Sequence, residues 1–177
     1  MNTRQKAKDQ IIDFINSDRR CLLLTGTHMF EKHNLVLSIL GDNVMSKEIL
    51  FRTNALKDLS LILDTSIKNF KTGTAYGLGS SDLYFDSFDI KTWTNSPDNL
   101  DFAIIYPIGS LITRNGFNKS PIDNIFNKGS RSHKVFLIGS HENYNFSLFD
   151  EYVDQKVIFD VEEEDIEYHK RVIESLR

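Results

Sequence analysis

Arg20-Cys21-Leu22-Leu23-Leu24-Thr25-Gly26-Thr27-His28-Met29-Phe30-Glu31-Lys32-His33-Asn34 is the stretch on which the reading of the fold turns. Its apolar run, Cys21–Thr25, reads as a buried strand, and Gly26 opens a short polar turn. Leu35, Val36, Ile39 and Leu40 follow at helical spacing, so the segment predicts a strand turning directly into a helix. Four more short apolar runs lie further on: Ile49–Thr53, Phe102–Tyr106, Val135–Ile138 and Val157–Val161. Each is nearly continuous rather than alternating, the pattern of a strand covered on both faces of a parallel sheet. Helical patterns occupy the gaps. Ile11 and Ile15 precede the first strand; Leu56, Leu59, Leu63 and Ile67 follow the second. Ser120-Pro121 caps a stripe of Ile122, Ile125 and Phe126 that Gly129 stops. Ile166, Val172, Ile173 and Leu176 form a final amphipathic helix. The alternation predicts an α/β fold, a three-layer α-β-α sandwich around a mainly parallel five-stranded sheet.

The chain has 177 residues, 40% hydrophobic and 26% charged, with 21 basic against 25 acidic side chains and a net charge of −4. That is enough chain for one domain whose core needs no metal or disulfide. Cys21, the single cysteine, sits in an apolar run and has no partner in the chain, which suits a reducing, cytoplasmic setting. Residues 1–14 are polar and lack the apolar stretch of a secretory signal. No apolar run approaches the roughly 18 residues that span a bilayer, so no membrane partner is expected. One domain over residues 1–177 is expected, with an insertion at about 71–99. There Gly73, Gly77 and Gly79 precede Leu83–Phe88, an additional strand suited to a sheet edge.

Residues 20–34 resemble the P-loop NTPase superfamily, in its RecA-like and AAA-like branch. Set against G-x-x-x-x-G-K-[ST], Gly26 takes the first glycine and Lys32 the lysine. Glu31 replaces the second glycine and His33 the hydroxyl residue. The Phe102–Tyr106 run resembles the Walker B strand, but Tyr106 and Pro107 stand where the family has its acidic residues, and Asp101 lies at the opposite end. The Val135–Ile138 run resembles the strand that lies beside the first one and ends in a polar sensor, here Ser140 or His141.

The resemblance implies a nucleotide or phosphate site where Gly26, Thr27, His28, Lys32, His33, Ser140 and His141 gather outside the carboxyl ends of the strands, with Tyr106 beside them. The departures imply a degenerate one. A Glu31 carboxylate about 4 Å from a phosphate costs on the order of 4 kcal/mol, and imidazole is a poor Mg²⁺ ligand. The cofactor is thus unknown, ATP or another nucleotide at most weakly held. A metal site from His28, His33, His141 and Glu142 lacks any recognised ligand spacing, and no metal is expected.

Three functions compete. The first is a P-loop-like pseudoenzyme without ATP hydrolysis, a binding or regulatory subunit that meets a protein partner. The second is an atypical NTPase or phosphoryl-transfer enzyme in which Lys32 holds phosphate, His33 or His141 moves a proton and Arg114 or Arg131 stabilises charge. The third is a nucleic-acid accessory factor using residues 113–134, where Arg114, Lys119, Lys128, Arg131 and Lys134 face only Asp123. Residues 150–168 are strongly acidic, which suits the start of the last helix. Trp93, in a polar turn, is read as an anchor or a docking residue.

Overall fold

A computed structural model describes residues 1–128 and 133–177. The Gly129 helix stop and the Arg131 role fall outside the described residues. In chain order the strands are β1 (Cys21–Thr25), β2 (Glu48–Thr53), β3 (Tyr76–Leu78), β4 (Ser81–Ser87), β5 (Phe102–Ile105), β6 (Ile112–Thr113), β7 (Gly116–Phe117), β8 (Lys134–Ile138) and β9 (Gln155–Ile158). The helices are α1 (Arg4–Ile15), α2 (Lys32–Asn43), α3 (Leu59–Ile62), α4 (Ser120–Phe126) and α5 (Ile166–Ser175), with four 3₁₀ turns between.

The sheet has seven strands in the order β3-β4-β2-β5-β8-β1-β9, not five. All neighbours run parallel except β3, which is antiparallel to β4 at the edge. β4 pairs with β2 over Glu48 to Thr53 and so belongs to the body of the sheet, within the segment read as an insertion. Its glycines serve that return: Gly79 has φ +58, and a Cβ there would stand 2.4 Å from the Gly41 carbonyl. β6 and β7 form a separate hairpin.

Alternation along the buried strands builds two cores. Leu22 and Leu24 of β1, Ile49 and Phe51 of β2, Phe102 and Ile104 of β5, and Phe136 and Ile138 of β8 face one layer with α1 and α2. Cys21, Leu23, Leu50, Ala103, Ile105, Val135 and Leu137 face the other, under Ile122 and Ile125 of α4 and Phe149. The near-continuous apolar runs are thereby explained: both faces of every central strand are covered. Thr3 begins α1 by accepting a hydrogen bond from the Lys6 amide at 3.2 Å, and Ala7, Ile11 and Phe14 bury one stripe.

Two helix readings change. The stripe from Leu56 to Ile67 forms a 3₁₀ turn and only four residues of α3, because the chain turns at Asp64, φ +48. Leu61 and Ile67 are left exposed and Phe70 packs instead. The final amphipathic helix exists, but none of its residues is buried. It lies over the carboxyl end of the sheet, not against a core. No helix among the described residues is long and apolar enough to cross a membrane.

Candidate functional site

β1 lies between β8 and β9, with Leu23 opposite Leu137 and Lys156, so the loops after all three strands meet at one end of the sheet. The loop from Gly26 to Glu31 leaves β1 and enters α2 at Lys32. Gly26 has φ +117 and presses on the exit of β9; a Cβ there would fall 2.2 Å from the Phe159 carbonyl oxygen. Only glycine adopts that conformation at no steric cost. The His28 amide donates to the same carbonyl at 3.2 Å, tying the loop to β9.

The loop amides point at acceptors supplied by the chain itself. Gly26 N–H donates to Glu142 Oε1 at 2.7 Å, and Thr27 N–H donates to Asp160 Oδ1 at 2.9 Å. The Thr27 hydroxyl lies 3.2 Å from the same Asp160 oxygen and accepts from the Val161 amide at 3.1 Å. Asn2 adds a bond to Asp160 Oδ2 at 2.8 Å. In the resemblance these amides would cradle phosphate; here two carboxylates take their hydrogen bonds.

Lys32 is turned into the same loop. Its side chain is wholly buried, and Nζ donates to the Gly26 carbonyl and, at 3.4 Å, to Ser140 O. Glu142 Oε1 is 3.9 Å away. Burial brings the ammonium down to about 8 against the upward pull of Glu142 and Asp160. The lysine thus ties the loop's Gly26 carbonyl to the Ser140 carbonyl beyond β8 instead of projecting out of the loop.

The C-terminal segment straps this arrangement. His28 Nε2 is 2.7 Å from Glu164 Oε2, and its ring lies 4.6 Å from that of Phe159. His169 Nδ1 is 2.8 Å from the Thr27 hydroxyl, and the Tyr168 hydroxyl reaches Met29 Sδ at 3.9 Å. Arg4 Nε joins Glu164 at 2.9 Å. The hydrogen bonds from Arg4 and His28 hold the Glu164 carboxyl below its ordinary range. What remains is a cleft of about 90 Å³ lined by Gly26, Thr27, Ser140, His141 and Glu142 below and Val172 and Ser175 of α5 above.

The expected cluster therefore divides. Gly26, Thr27, Ser140 and the exposed His141 line one crevice; Lys32 is buried against the Gly26 and Ser140 carbonyls, and His28 is strapped to Glu164. His33 does not join it. Its Nε2 donates to the Ile62 carbonyl at 2.7 Å, and its ring lies tilted against Tyr106, centroids 4.3 Å apart, beside a different cavity. His33 and Tyr106, set by the resemblance at the hydroxyl and acidic positions, meet as a buried aromatic pair. Burial holds the imidazole below its usual range and the phenol above its own. His28, His33 and His141 have separate surroundings, and among the described residues no group of three metal-ligating side chains converges.

Glu142, Asp160, Glu164 and His169 complete the site. Glu142 enters the sequence reading only as a candidate metal ligand with His28, His33 and His141, not as an acceptor for the loop. Asp160, Glu164 and His169 carry no local signal, because their partners lie more than 130 residues away.

No family model matches the chain, and no curated protein matches it. Among solved structures it is similar to the large terminase of a thermophilic bacteriophage, with a TM-score of 0.55 and 9% identity. The match covers 88% of this chain and 45% of the terminase, so the chain spans under half of that protein's length. At this identity the likeness is one of fold: a mostly parallel seven-stranded α/β sheet with helices.

Proposed function

We propose that this chain is a P-loop-like domain without ATP hydrolysis, acting as a binding or regulatory subunit of a protein complex. The observation that carries the reading is the occupation of the Gly26 and Thr27 amides by Glu142 and Asp160. A phosphate entering this loop would meet two carboxylates. Each like-charge contact at about 4 Å costs on the order of 4 kcal/mol at an effective dielectric of about 20, and displacing the carboxylates would break the bonds they make.

In the resemblance the positions that would serve Mg²⁺ and water fall to His33 and Tyr106, an imidazole and a phenol packed against each other, with no carboxylate and no serine or threonine hydroxyl for the metal. The nucleic-acid reading has less support. Lys119 pairs with Glu151, Lys128 lies near Asp98 at 3.7 Å, and Lys134 donates to the carbonyls of Ser17 and Arg19. Of the described basic residues in 113–134, these three are already engaged, which leaves little charge to neutralise a phosphate backbone.

Thermal unfolding with millimolar Mg²⁺–ATP is the test. The midpoint should stay where it is without ligand. A shift that follows RT ln(1 + [L]/Kd) as ATP is raised overturns the reading.

A further inference from the structure

The cavity beside His33 is not the loop crevice, and its walls have an unusual chemistry. It measures about 280 Å³ and is lined by Phe30, Glu31, Asn34, Leu61, Ile62 and Asp64 together with the His33–Tyr106 pair. The pair is 2% and 6% exposed, with ring planes 32° apart. Because the Ile62 carbonyl can only accept, His33 Nε2 carries the proton, which leaves Nδ1 as a buried acceptor with no partner. The Tyr106 hydroxyl makes no hydrogen bond among the described residues, although the side chain is more than nine-tenths buried. At the rim Asp64, held at φ +48, has no ion-pair partner among the described residues. Glu31 shares its charge with Arg4 at 3.9 Å. No cationic side chain lines the cavity.

We propose that this cavity is the docking point for an arginine side chain presented by a partner protein. The aliphatic stem matches the apolar wall of Leu61 and Ile62. A guanidinium is planar with five donors, which meet the Tyr106 oxygen and the Asp64 carboxylate lining the cavity. An anionic ligand is opposed by both rim carboxylates, and a purely apolar one leaves the phenol and Asp64 unmatched. Phe30 and Leu61 stand 69% and 84% exposed around the opening. A free guanidinium compound would leave them uncovered, whereas a protein segment on either side of the arginine buries them, and that favours a protein as the source.

The inference rests on the binding-subunit reading and fails separately from it. A shift with Mg²⁺–ATP would remove that reading, whereas the arginine experiment reads the cavity directly. The intact chain is titrated with N-acetyl-arginine amide and with N-acetyl-citrulline amide, its neutral isostere, while side-chain NMR signals of Leu61 and Phe30 are followed. Saturable shifts are expected at millimolar arginine amide, with citrulline about tenfold weaker or more. Tyr106→Phe and Asp64→Asn should each weaken the arginine compound several-fold while circular dichroism is unchanged. Acetyl-Leu-Arg-Leu-amide should bind about tenfold tighter than acetyl-Gly-Arg-Gly-amide. Leu61→Ser should remove most of that gain, weakening the Leu-Arg-Leu peptide more than the Gly-Arg-Gly peptide. Absence of saturation, or equal binding of arginine and citrulline, overturns the arginine pocket. Equal binding of the two tripeptides overturns a protein as its source.

Discussion

Glu142 and Gly26, 116 residues apart in the chain, are joined by a 2.7 Å hydrogen bond from the first loop amide to a carboxylate that also lies 3.9 Å from Lys32 Nζ. One side chain thus satisfies a backbone donor and compensates a buried ammonium. Glu142→Ala removes both, and urea unfolding should show a loss of about 1–3 kcal/mol. Glu142→Gln keeps an acceptor for Gly26 and loses only the charge, so its loss should be smaller. If Glu142→Ala unfolds at the wild-type urea midpoint, the carboxylate does not hold the loop.

Lys32 gives stability a specific pH dependence. Its ammonium titrates near 8 in the fold and near 10.5 when unfolded, so between these values the unfolded chain binds the extra proton. Stability attributable to Lys32 therefore rises with pH across that window, as the cost of burying the charge is relieved. The full span is about 3 kcal/mol. The measurement is the difference in unfolding free energy between wild type and Lys32→Met from about pH 7 to 10.5. Subtracting the variant removes the opposing effect of the Cys21 thiol and Tyr152 phenol, both pushed up chiefly by burial. A difference that is flat or falls with pH contradicts the burial of a titrating lysine.

What could be read from the sequence follows from how far apart the interacting residues lie. Cys21–Thr25 and the turn into α2 were legible because strand, glycine and helix follow one another locally, and the central strands because double-sided burial leaves unbroken apolar runs. β4 was legible as a strand but not as a member of the sheet body, since nothing in Leu83–Phe88 records that its partner is β2. The α3 stripe continued to Ile67 on paper; Asp64 ended it through a backbone conformation that has no apolar signature. The site was half visible. Gly26 and Lys32 marked the loop, but the groups filling it arrive from beyond β8 and β9 and from α5 through contacts that spacing cannot show. His33 follows Lys32 into α2 as its spacing implies, but its ring turns toward Tyr106 and Ile62, away from Gly26 and Ser140, which spacing cannot show.

Arg52 and Asp86 make a second testable unit, an ion pair with both side chains fully buried. Arg52 Nε and Nη2 donate to the two Asp86 oxygens at 2.7 Å each, Ser96 donates to Asp86 at 2.7 Å, and Nη1 donates to Pro121 O and Asn124 Oδ1. The Trp93 ring lies 4.4 Å from the guanidinium and donates its own N–H to Ser87 O, so it is an anchor. Asp86→Ala strands the guanidinium and should cost about 3–5 kcal/mol. Arg52→Met with Asp86→Leu removes both charges and should cost less than Asp86→Ala alone. Additive losses in a double-mutant cycle by chemical denaturation would show the pair to be uncoupled.

Gly26→Ala tests the contact on which the loop's shape depends. At φ +117 an L side chain is strained whatever space it has, and here the Cβ would meet the Phe159 carbonyl oxygen at 2.2 Å and its carbon at 2.6 Å. Backbone cannot swing aside as a side-chain tip can, so the loop must lift from β9 and release the His28 amide from Phe159 O. A loss of about 3 kcal/mol or more is expected, with faster hydrogen exchange at the His28 amide. Gly77→Ala is the matched control, since nothing stands within 4 Å of its Cβ position, and it should change stability by about 1 kcal/mol at most. If Gly26→Ala behaves like Gly77→Ala, the loop is not pressed against β9, and Glu142 and Asp160 need not be where the Gly26 and Thr27 amides find them.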